Sequence, residues 1–111
     1  MGYIKHNAVV CTTYSKEYAV QANKKAKEIF EKYEVGFEKL VSEILEYVIN
    51  TGYSFFIAPD GSKEGWETSN KCNDARKEFL NWIEESNNHC DFIEVTFGGD
   101  DKFSEINRIN T

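Results

Sequence analysis

Tyr53-Ser54-Phe55-Phe56-Ile57-Ala58-Pro59-Asp60-Gly61-Ser62-Lys63-Glu64-Gly65-Trp66 decides how the chain folds. Its first six residues carry the aromatic and β-branched content of a strand. Pro59-Asp60-Gly61 stops that strand, because Pro presets φ and Gly accepts positive φ. Beyond the turn, Ser69 or Asn70 is placed to cap a helix. That helix sends Cys72, Ala75, Phe79 and Trp82 or Ile83 inward, and Asn87-Asn88 ends it. Phe92-Ile93-Glu94-Val95-Thr96-Phe97 then alternates as a half-buried strand and runs into Gly98-Gly99-Asp100.

Upstream, Ala8 to Tyr14 is a further β-branched run. Ser15 is the expected N-cap of a helix with Ala19, Ala22, Ala26, Phe30 and Tyr33 on one face. Gly36 breaks it. Phe37, Leu40, Val41, Ile44, Leu45 and Val48 then follow helical spacing, although their β-branched content and the following Asn50-Thr51-Gly52 leave an extended segment open. The order is β-α-(α or β)-β-α-β, an α/β fold. We expect a small mixed or antiparallel sheet with two or three helices packed on one face, in a single domain spanning 1–111. The tail from Asp101 to Thr111 is mostly polar and is expected to stay loose unless a ligand or a second subunit orders it.

Composition narrows the function. At 111 residues the chain buries roughly 65% of its unfolded surface, enough for one core. Its net charge of −6 disfavours DNA or RNA polymers and anionic membranes as partners. Cys11, Cys72 and Cys90 are odd in number and widely spaced. This argues for reduced thiols in a cytoplasmic protein rather than a disulfide framework. No run is apolar enough to span a bilayer, and Met1-Gly2 lacks the Ser or Thr at position 6 that an acylation signal requires.

The chemistry-bearing residues are sparse. His89-Cys90, with His6 and Cys11 distant, lacks metal-ligand spacing, so no metal or cofactor is expected. Gly98-Gly99-Asp100-Asp101 resembles the signature of cyclic-dinucleotide cyclases but reads as a tight loop after a strand. Asp100/Asp101 and Glu84/Glu85 are adjacent carboxylates of an acidic surface. Lys24, Lys25 and Lys27 form the one dense basic cluster. Trp66 offers a flat face to a base, Lys63 in the same turn suits a phosphate, and the chain's two Arg, 76 and 108, suit stacking or phosphate clamping. No catalytic residues are assigned and no enzymatic activity is expected.

His6 to Val10 running into Thr12 to Ser15, the block from Phe55 to Trp66, the helix with Asp74, Arg76, Phe79 and Trp82, and Ile93 to Asp100 occur in that order. Together they resemble the phage-encoded Thoeris anti-defence proteins of the first type. The resemblance implies a cytosolic sponge. Such a protein binds the glycosyl cyclic ADP-ribose signal of TIR-domain immune enzymes without degrading it, and holds cyclic di- or trinucleotides at separate sites. It also implies an α/β homo-oligomer, a dimer that assembles further into a hexamer. The site expected for that ligand takes Trp66 for stacking and Arg108, Arg76 and Lys63 for phosphates, with Thr13, Asn73 and Asp100 for ribose hydroxyls. Two other readings compete: an enzyme cleaving a cyclic nucleotide or glycosidic bond, and a direct protein inhibitor of a host defence factor.

Overall fold

The run of β-branched residues around Val9-Val10 forms the centre of the sheet. In the computed structural model, which describes residues 3–100 and 103–110, β1 (His6–Thr13) pairs on both sides. β3 (Tyr53–Ile57) lies against one edge of it and β4 (Asp91–Phe97) against the other. The two-residue β2 (Leu45–Glu46) borders β3, and β5 (Glu105–Ile109) borders β4. All pairings are antiparallel, in the order β2-β3-β1-β4-β5. Of the expected mixed or antiparallel sheet, the antiparallel form is the one seen.

Two helices cover one face. α1 (Lys16–Tyr33) starts where Ser15 caps it, its Oγ accepting from Tyr18 N at 3.3 Å. The small Ala19, Ala22 and Ala26 let the helix approach the sheet closely, and Phe30 fills the space between. α2 (Glu67–Glu85) contributes Ala75, Phe79, Leu80 and Ile83 to the same core, against Val9, Cys11, Phe55, Ile57 and Phe92. Neither Ser69 nor Asn70 caps α2. Trp66 holds the cap position without a side-chain bond, and Ser69 is buried one turn in. Ile83 is the inward residue at the far end of α2, with Trp82 half-buried beside it.

The structure decides one segment that the sequence left open between helix and extended chain, and differs from the reading of another. Residues 37–48 are not an α-helix: a 3₁₀ turn, Phe37–Leu40, leads into extended chain and β2. Sheet bonds win there, with Ser42 N donating to Phe56 O at 2.9 Å and Ala58 N to Leu40 O at 2.9 Å. The tail was expected to be loose; in the structure β5 satisfies the free edge of β4. Asn110 secures it, its Oδ1 accepting from Phe92 N at 2.9 Å and its Nδ2 donating to Cys90 O at 3.0 Å. Asp101, Lys102 and Thr111, and with them half of the Asp100/Asp101 pair, lie outside the described residues.

Among the described residues, no helix is long and apolar enough to cross a membrane.

Candidate functional site

The loop from Asp60 to Trp66 leaves β3 and delivers the chain to the N-terminus of α2. Gly61 and Gly65 take positive φ, 82° and 88°, which gives the loop its two bends. The Ser62 hydroxyl donates to Asp60 Oδ2, and Ser62 itself is buried, so the loop is pinned from inside. Glu64 N donates to Tyr3 O at 2.7 Å. Ile4 is in turn joined to the Gly98-Gly99-Asp100 turn: its N–H donates to Asp100 Oδ2 at 3.0 Å, and its carbonyl accepts from Asp100 N at 2.8 Å. The segment Tyr3–Ile4 therefore ties the two loops into one end of the sheet.

At that end Trp66 is 53% exposed, and Lys63 Nζ stands 5.6 Å from its ring centroid. The first bond of α2 runs from Asn70 N to Trp66 O, so the N–H groups of Glu67, Thr68 and Ser69 belong to the open helix end. An aromatic face, an ammonium and a helix N-terminus thus converge. Such a group can take an anion beside a flat ring. Glu67 opposes this, but it is paired with Lys71 one turn on, at 3.4 Å.

The other sequence-predicted residues divide between this end and elsewhere. Asp100 is exposed here and commits one oxygen to Ile4. Asn73 is exposed on α2 and accepts from Arg76 Nη2. Arg76 is not at the surface: its side chain is 2% exposed, with Nε 3.4 Å from Glu94 Oε2. Its Nε and Nη1 make no hydrogen bond among the described residues. In this conformation it reaches no surface ligand and instead ties α2 to β4.

Thr13 is buried at the opposite end of β1, where its Oγ1 accepts from Ser15 N at 3.2 Å. Arg108 lies on β5, ion-paired with Glu84 and 5.7 Å from the Phe92 ring. Glu84 is eighteen residues beyond Trp66 on α2, about 27 Å along a helix rising 1.5 Å per residue. Arg108 and Trp66 of one chain therefore do not meet on one small ligand.

Four polar residues not foreseen as site residues matter to the architecture. Glu94 neutralises Arg76. Thr96 Oγ1 donates to Asn7 Oδ1 at 2.7 Å and accepts from Asn107 Nδ2 at 2.6 Å, which links β1, β4 and β5. The burial of Arg76 had a sequence signal, since an i, i+4 step from inward-facing Cys72 lands on it. Glu94 had none, because its partner is eighteen positions away.

The thiols are packing groups. Burial pushes Cys90 up to about 12 and Cys72 up to about 11, and holds Cys11 well above the ordinary thiol value, with Cys90 adding to it. A pKa raised by folding stabilises the folded state below the unfolded thiol value of about 8.5, and that stability is lost as pH rises toward the folded values. Melting temperature is therefore expected to fall above about pH 8.5, and to fall less steeply in a Cys90→Ala variant. Iodoacetamide at mildly alkaline pH should leave all three thiols intact in the folded protein and label them in urea; labelling without urea would contradict their burial.

Among the described residues, no cluster of three His, Cys, Asp or Glu is placed to hold a metal ion. No known protein family, curated protein or solved structure matches the chain.

Proposed function

We propose that the protein binds and sequesters a small cyclic nucleotide signal of the glycosyl cyclic ADP-ribose class, as a homo-oligomer and without degrading it. The observation that carries this is the exposed Trp66 with Lys63 over its ring at the open end of α2. A nucleobase gains from an aromatic face, and a pyrophosphate gains from an ammonium beside helix N–H groups. These groups bind and orient; none is a nucleophile with an adjacent base. The resemblance of the ordered blocks to the Thoeris anti-defence proteins names the ligand class.

Calorimetry with glycosyl cyclic ADP-ribose tests the reading, followed by heat denaturation and mass spectrometry of the released ligand. Tight binding with intact ligand is expected. Trp66→Ala should weaken binding by about 1–3 kcal/mol, the range for loss of one base–aromatic stack. Lys63→Ala should act in the same direction with a smaller effect. A ligand recovered with altered mass would replace the sponge by an enzyme, and an unchanged affinity in Trp66→Ala would remove this end of the sheet as the site.

A further inference from the structure

The strands are written as though both faces of the sheet were covered. Val9-Val10, Phe55-Phe56 and Phe92-Ile93 place apolar residues on both faces, the pattern of strands buried on two sides. The helices cover one face only. β4 goes further: Phe92, Glu94 and Thr96 turn toward the helices, and the wholly apolar set Ile93, Val95 and Phe97 turns away.

On the uncovered face, Phe56, Val10, Ile93 and Ile109 stand in one row across β3, β1, β4 and β5. Phe97 and Ile106 continue it around a cleft of about 510 Å³. Phe56, Val10, Ile109, Phe97 and Ile106 are between 41% and 62% exposed. Together they leave roughly 450 Å² of apolar surface to water, within the range of about 300–600 Å² for the largest patch on a monomer, which is often functional. This is more than half of the roughly 800 Å² that each partner gives to a standard interface.

Charge selects the occupant. The chain is at −6, yet among the described strand residues of this face the ionisable ones are Asp91 at one end and His6 at the other, with Glu105 on the wall of the cleft at the outer edge. Two equally negative chains can meet over the central strands β3, β1 and β4 with little like-charge contact, whereas a basic partner would find few carboxylates to pair with. We propose that two copies of the chain pack these faces together as a two-fold β-sandwich. Sheets stack about 10 Å apart with their strands nearly aligned, so a flat apolar face suits a second one. With strands antiparallel across the axis, the Asp91 end of each copy covers the His6 end of the other, giving the reciprocal contacts of a closed dimer.

This deepens the reading above by naming the surface of self-association. Its test reads mass and not ligand binding, so either can fail alone. Sedimentation equilibrium of the ligand-free chain at micromolar concentration should give twice the chain mass. Phe56→Glu and Val10→Glu should weaken the dimer by roughly 100-fold or more, because each would bury unpaired carboxylates, while keeping the wild-type circular dichroism. Val35→Glu, at an exposed position just beyond the C-cap of α1, should remain dimeric. Phe56→Ser makes the same comparison if a charge at that position prevents folding. A monomeric wild type overturns the proposal, and so does a dimer that survives the substitutions at positions 56 and 10.

Discussion

Arg76→Ala is expected to cost about 3–5 kcal/mol of folding stability, the range for removing one member of a buried ion pair. The side chains of Arg76 and Glu94 are 2% and 18% exposed, and Nε lies 3.4 Å from Oε2. Without the guanidinium, the Glu94 carboxylate keeps its burial and loses its cation. The aliphatic stem of Arg76 also leaves the packing between α2 and the sheet. Against a total of about 5–15 kcal/mol for a domain, that loss brings the chain close to unfolding at ambient temperature. Yet the pair is imperfect, since Nε and Nη1 lack hydrogen-bond partners among the described residues. Arg76→Met combined with Glu94→Gln should therefore recover most of the lost stability, because replacing both charges removes the desolvation penalty of each. Urea unfolding followed by circular dichroism measures all three proteins. A single variant within about 1 kcal/mol of wild type would mean that the pair does not clamp α2 to β4.

The pairing of Arg76 with Glu94 also shows where sequence reasoning stops. Local signals fixed local elements: β-branched runs placed β1, β3 and β4, and Ser15 placed the start of α1. The Pro-Asp-Gly turn and the Trp66 that follows it marked the loop that now forms the candidate site. Residues 37–48 satisfied a helical period, but the deciding bonds run to Phe56 and Ala58, far away in sequence. β5 escaped for a different reason. Ile106 and Ile109 share a face while standing three apart, because a bulge interrupts the pairing between Glu94 and Val95. That extra residue erases the two-residue alternation by which a strand is recognised. The candidate phosphate groups scattered for a similar reason. Residue type suggested Arg76 and Arg108, but each met a carboxylate of another element, Glu94 or Glu84.

Gly99→Ala should cost about 2–4 kcal/mol, combining a left-handed backbone with a steric conflict that cannot be relieved by rotating a side chain. Gly99 has φ +64°, and a Cβ placed there would lie 2.4 Å from the Ile4 carbonyl oxygen. That oxygen accepts the Asp100 N–H, so the clash falls on the bond joining the N-terminal segment to the turn after β4. Gly61 separates the two contributions. Its φ is +82°, but a Cβ there meets nothing within 4 Å, so Gly61→Ala should cost only about 1 kcal/mol, the backbone part alone. The difference between the two variants in urea unfolding isolates the clash. It should also appear in ligand binding, because Tyr3, next to Ile4, accepts the Glu64 N–H and so steadies the loop that carries Lys63 and Trp66. If Gly99→Ala loses no more stability than Gly61→Ala, the Ile4 segment yields at little cost, and the two loops are not mechanically joined through it.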